Sequence, residues 1–272
     1  NQIMSDGYSI VCEDSSKMMT ENRDYDVLVQ DINIGDITSS AQNADVLRRL
    51  RNTDPYWNQE LYILESEIDG DIDEFIIRAG DDLGWLGYFI GRSEVLKALH
   101  IYVFPEEKEQ LVAFMRGIIQ NQSIKELSIH TDLGDQGFES IGYFLRNDNA
   151  LTRLRFVDFH VDTECGHNIA MALEQCRHNS LSRFELENNN VSAEGFAEIA
   201  ATLRTQSQLE ELHLGHSNIG RDGCVGLGNL LRRWQSSNLK CLSLFSNAID
   251  DLGLQALVEG MSNCSNLRTV NL

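Results

Sequence analysis

From Leu96 onward one short pattern of apolar positions, apolar-x-x-apolar-x-apolar, returns along the chain. It occurs at Leu96/Leu99/Ile101, Ile124/Leu127/Ile129, Leu151/Leu154/Phe156 and Leu181/Phe184/Leu186. It continues at Leu209/Leu212/Leu214, Leu239/Leu242/Leu244 and Leu267/Val270/Leu272. Successive first residues are 28, 27, 30, 28, 30 and 28 positions apart, which marks internal repetition. Leu61 and Ile63 mark an eighth instance, displaced upstream. The alternation inside each instance predicts a short strand.

A second signature follows the strands. Asn189 and Asn247 come eight residues after the first Leu, Val191 and Ile249 come at ten, and Gly195, Gly223 and Gly253 at fourteen. Next come Phe196, Ile199, Ala200 and Leu203 in one repeat, and Leu254, Leu257, Val258 and Met261 in another. That spacing is one buried face of a helix. Each unit therefore reads as strand, turn, helix and return. Leu86-Gly-Tyr-Phe-Ile and Ile141-Gly-Tyr-Phe-Leu are near copies, as duplication would leave them.

The pattern LxxLxLxxNxL, then a Gly and an apolar helix, resembles the ribonuclease-inhibitor-type (RNI-like) leucine-rich repeat proteins over roughly residues 58–272. The resemblance implies an α/β fold: a leucine-rich-repeat solenoid, or horseshoe, with a parallel β-sheet on the concave face and helices on the convex face. Physics agrees, because one unit can bury neither its apolar strand nor its helix face until neighbours stack on it. Two departures stand out. The Asn position is Phe104, Asp132, Phe159 and Ser217 in other repeats, so an Asn ladder is incomplete. The unit from Leu61 to Leu96 is about ten residues too long for the period, which places an acidic insertion, 64–80, outside the regular solenoid.

Residues between the inward apolar positions point the other way, to the concave face. The central row is His100, Ser128, Arg155, Glu185, His213, Ser243 and Asn271. The row before it is Ala98, Glu126, Arg153, Arg183, Glu211, Cys241 and Thr269; the row after it is Tyr102, His130, Val157, Glu187, Gly215 and Phe245. Strands about 4.8 Å apart put row neighbours in contact, so Arg155 with Glu185 and Arg183 with Glu211 read as lateral ion pairs. These charges either neutralise one another on a solvated sheet or leave Arg153, Arg155 and Arg183 as a basic island for a partner's carboxylates. Tyr102 and Phe245 are candidate aromatic anchors. The candidate partner-binding residues are His100, Tyr102, His130, Arg153, Arg155, Arg183, Glu185, His213 and Phe245.

Charge narrows the partners. The 272 residues carry 42 acids against 22 bases, a net −20, which excludes general binding to nucleic acid. Residues 58–95 alone hold ten acids and two bases. Glu65, Glu67, Asp69, Asp71, Asp73 and Glu74 form an acidic loop that begins like a calcium loop, but Ile76 stands where the bidentate Glu is needed. A solvated loop that docks a basic partner, without metal, is expected there. The longest conspicuous uncharged apolar stretch, Leu83 to Gly91, is far short of the ~20 residues of a membrane span. No secretory signal is visible. Six Cys lack metal spacing, and reduced thiols in the cytoplasm or nucleus are expected. His100 and His130 fall in different rows, which disfavours a shared zinc. No nucleophile elbow, Walker loop or dinucleotide fingerprint occurs, so neither an enzyme nor a cofactor is expected.

Residues 1–42 read as an irregular lead-in with a short strand within 24–37, and 43–57 as a capping helix on Val46, Leu47 and Leu50 that ends before Asp54-Pro55. Residues 58–272 are the array. It starts from Asn and stops at Leu272 on a strand motif, so it is expected to be truncated at its C-terminus. The function expected is a non-catalytic protein–protein interaction module that uses the concave face. The alternatives are a GTPase activator resembling the Ran-type activators, which share the repeat class, and the sensor or substrate-recognition part of a longer signalling or ubiquitin-ligase protein.

Overall fold

The computed structural model describes residues 37–51, 57–65, 74–76, 83–104, 108–131, 134–147, 149–176, 180–234 and 238–272. All but the last residue of the stretch 24–37, where a short strand is expected, lies outside them, as do Cys12, Glu67, Asp69, Asp71 and Asp73. The chain divides into two compact units, 1–47 and 48–272. In the first, the described residues hold most of helix α1 (Ala41–Leu50), whose apolar side carries the buried Val46 and Leu47. The helix expected over 43–57 thus begins earlier and stops sooner. Trp57 is not helical; its indole N–H donates to the Glu60 carbonyl at 2.9 Å, on the way into a strand.

The second unit is the array. It begins with β1 (Glu60–Leu64), β2 (Glu74–Ile76), α2 (Gly84–Arg92), β3 (Ala98–Ile101) and α3 (Lys108–Ile118). There follow β4 (Glu126–Ile129), α4 (Gly134–Arg146), β5 (Arg153–Phe156), β6 (His160–Val161) and α5 (Thr163–Glu174). The last elements are β7 (Arg183–Glu185), β8 (Asn190–Val191), α6 (Ala193–Leu203), β9 (Glu211–His213), α7 (Gly220–Arg233), β10 (Cys241–Ser243), α8 (Asp251–Met261) and β11 (Thr269–Asn271). Nine strands form one parallel sheet in the order β11-β10-β9-β7-β5-β4-β3-β1-β2, and β6 pairs with β8 at the turns. This is the α/β leucine-rich-repeat solenoid, with the sheet on its concave side and helices outside.

Register follows the apolar pattern. Leu61, Leu99, Leu127, Leu154, Phe184, Leu212 and Leu242 align across the sheet and are buried. Each such side chain contributes roughly 2 kcal/mol through its removal from water. One expectation is corrected here. Glu74–Ile76, read as part of an acidic loop outside the solenoid, is the edge strand β2 and pairs in parallel with β1. Phe75 is the reason: it is buried and meets Trp85 edge-on at 5.7 Å.

The turn signature has a physical role. Asn189 is buried, accepts from the Phe159 N–H at 2.6 Å and donates to the Phe156 carbonyl at 2.8 Å, so it completes the turn of the preceding repeat. Asn247 accepts from the Ser217 and Ile219 N–H groups, both at 3.1 Å. Where the Asn is missing, the Ser217 hydroxyl donates to the Leu186 carbonyl instead. Helix starts are capped one residue before the helix: Asp162, Ser192 and Asp250 accept from the N–H of Cys165, Gly195 and Gly253, each at 2.9 Å.

Candidate functional site

The concave sheet brings the expected residues into one surface and orders them in two zones. Strands β4, β5, β7 and β9 carry the charged zone. Glu185 lies at its centre, with its side chain only 2 % exposed. It accepts from Arg155 Nε at 2.8 Å and from Arg183 Nε, and Arg153 Nε lies 3.5 Å away. Arg153 also donates to Glu126 at 2.8 Å and Arg183 to Glu211 at 2.9 Å. Three arginines thus meet three carboxylates.

The basic island read from the sequence is therefore an ion-pair lattice without net charge. Register is the cause. Arg153 stands beside Glu126 and Arg183, and Arg155 beside Glu185, on parallel strands spaced for side-chain contact. His213 extends the lattice, 3.1 Å from Glu211 through Nε2 and 3.5 Å from Glu187 through Nδ1.

The second zone is aromatic. Tyr62 stacks on His100 at 4.3 Å and Tyr102 on His130 at 3.9 Å, with ring planes nearly parallel in both pairs. His130 Nε2 lies 2.8 Å from the Ser128 hydroxyl. Burial lowers the His100 pKa, opposed by Glu126 and Glu60. Burial, then Arg155 and His100, pushes His130 down to about 4. Both imidazoles are accordingly neutral at neutral pH. Burial also raises Tyr62 to about 12, helped by its hydrogen bond to Glu60. Towards the other end, Phe245 lies over Gly215, where a Cβ would fall 2.3 Å from its ring. Only Gly leaves that seat.

His100 and Glu185, expected as open groove residues, are buried under the flanking rows. Tyr102 remains 36 % exposed and Phe245 partly exposed. Of the acidic loop, Glu65 is described and exposed, and Glu74 belongs to β2. Tyr62 was not singled out by sequence reasoning, because its strand lacks the full motif. The aligned Leu61 and Ile63 were the signal that could have placed it in the central row. Glu126 and Glu211 sit in the written rows but gain their role only through side-chain geometry.

Among the described residues no group of three or more His, Cys, Asp or Glu side chains could hold a metal. Among the described residues Cys224, Cys241 and Cys264 are free thiols. Burial, then the Glu211 charge, raises the pKa of Cys241, which opposes thiolate formation. No helix of the described residues is long and apolar enough to cross a membrane.

Residues 207–228 and 235–258 match the family model described as Leucine Rich repeat. A 148-residue stretch is 29% identical to NACHT, LRR and PYD domains-containing protein 5 of Homo sapiens. That stretch is 53% of this chain and 12% of the human protein, so the chain spans a small part of the relative it matches. Among solved structures, an internalin from Listeria monocytogenes aligns at 15% identity with a TM-score of 0.36, over 68% of this chain and 50% of that one.

Proposed function

We propose that the concave sheet binds a protein partner, with the ion-paired lattice as its centre and Tyr102 and Phe245 as anchors. The observation that carries this reading is the continuous run Glu126–Arg153–Glu185–Arg183–Glu211. Binding normally costs the rotamer freedom of long side chains that a partner must fix. Here neighbouring strands fix them during folding, and the surface is preorganised. Tyr is enriched at interface hot spots, and Tyr102 is held by its stack on His130. A charge-balanced strip selects by hydrogen-bond fit rather than by net charge. The repeat subtype that fits is the ribonuclease-inhibitor type, supported by the long period and by helices of nine to fourteen residues in the units.

Affinity capture from lysate tests the reading. Tyr102→Ala/Phe245→Ala should lose a set of proteins that wild type and the convex-face variant Met171→Ala/Val225→Ala both retain, all three melting alike. Retention of every protein by the concave variant would refute it. A second reading, the recognition element of a longer multidomain protein, is favoured by the similarity to a human protein whose name records NACHT and PYD domains beside its repeats. Sequencing the full transcript checks it, since a reading frame without a further domain would remove it.

A further inference from the structure

The rim where strands begin and helices end carries cations that the lattice does not use. Arg92, Lys97 and Lys125 line a cleft of about 460 Å³ in which Glu94 is the one acid among the described residues. Lys125 also lines an adjoining cleft of about 300 Å³ that reaches Arg153 and Arg183. The two clefts therefore share a wall and run from the rim onto the concave sheet.

Two facts separate these lysines from ordinary rim charges. First, among the described residues no carboxylate lies within ion-pair distance of Lys97 or Lys125, while Lys240, in the same row one strand before β11, pairs with Glu210. Second, the helix-end carbonyls beside them already have donors. Asn121 Nδ2 donates to the Ile90 and Ser93 carbonyls at 2.6 and 3.0 Å. The Ser123 hydroxyl donates to those of Ser93 and Leu96 at 2.8 and 2.7 Å. Lys97 Nζ itself donates to the Glu94 carbonyl at 3.1 Å, a neutral partner that leaves its charge uncompensated.

We propose that this rim is a docking surface for an acidic peptide segment, one rich in Asp and Glu, carried by a partner protein. Lysine stems are long enough to spread their heads to the ~7 Å spacing of alternate side chains in an extended peptide. Glu94, Glu126 and Glu211 flank the clefts in a chain of net −20, and together they repel a dense phosphate backbone. A short segment with two or three carboxylates carries fewer negative charges and meets the lysines with less of that repulsion. This surface extends beyond the concave-face reading and does not depend on it.

The test uses a fluorescein-labelled 12-residue Ser-rich peptide with three Glu at alternate positions, titrated with the whole chain and followed by anisotropy. Wild type should bind, and binding should weaken as salt rises from 50 to 200 mM. Lys97→Gln/Lys125→Gln should weaken it about tenfold and Lys97→Glu/Lys125→Glu further, while Arg233→Glu, elsewhere on the same rim, should leave it unchanged. The neutral variant guards against misfolding from charge reversal, checked by circular dichroism and melting. No wild-type binding at low salt, an equal loss with Arg233→Glu, or a 12-nucleotide DNA strand binding as tightly as the peptide would each overturn the proposal.

Discussion

At the residue scale, Glu185 and His130 solve the problem of a charged or titratable group on a crowded sheet in opposite ways. The Glu185 carboxylate is buried among arginines on its own and the neighbouring strand, which pair with it. Among the described residues no acid offsets Arg155 beside His130, which gives up its proton. It titrates near pH 4 when folded and near 6.5 when unfolded. Between those values the unfolded chain holds the extra proton, so this contribution to stability is complete above about 6.5 and is lost as pH falls towards 4. His130→Gln keeps a polar group beside Ser128 and removes that titration. Melting temperature should therefore fall more steeply between pH 6.5 and 5 in wild type than in the variant; equal slopes would exonerate His130.

At the element scale, helices approach in pairs through glycine. A Cβ on Gly117 of α3 would lie 2.0 Å from the Gly87 carbonyl carbon of α2. Gly166 of α5 meets Gly195 of α6, and Gly228 of α7 meets Gly260 of α8, at similarly short range. Gly142 of α4 occupies the same place as Gly87 in the duplicated Gly-Tyr-Phe text, yet its nearest neighbour would be 3.4 Å away. Gly117→Ala should therefore lower unfolding free energy by about 3 kcal/mol, the cost of overpacking against backbone. Gly142→Ala should be neutral or raise it by up to about 1 kcal/mol through helix propensity. Denaturant titration of both variants decides this, and a benign Gly117→Ala would mean that the helices can separate at little cost. Identical words in the sequence thus conceal different packing, because the distance to the next helix is set by the neighbour's residues.

At the scale of the whole molecule, stability is carried by interfaces between repeats, so it is uneven along the chain. Leu212 and Leu242 are buried between strands, whereas the aligned Val270 is 40 % exposed. Leu254 and Val258 of α8 are exposed as well. Amide hydrogen exchange in this chain should be fastest through α8 and β11 and slowest through β5, β7, α5 and α6. Uniform protection across the repeats would mean that the array opens as a single cooperative unit.

The strand positions, the turn asparagines and the buried face of α6 follow from the sequence alone, but Leu254 and Val258, read as part of such a face in α8, are exposed. A fixed period forces Leu99, Leu127, Leu154 and their counterparts onto one buried line whatever surrounds them. The concave rows followed by the same logic, since side chains alternate along a strand. Tertiary structure decided what those rows do: that three arginines are satisfied by Glu126, Glu185 and Glu211, that Tyr62 and Tyr102 cover two histidines, and that Phe75 draws an acidic stretch into the sheet. It also left Lys97 and Lys125 without a carboxylate among the described residues. A one-dimensional pattern fixes which way a side chain faces. The partner it meets depends on distances of a few ångströms between residues about thirty positions apart, and only the stacked repeats set those distances.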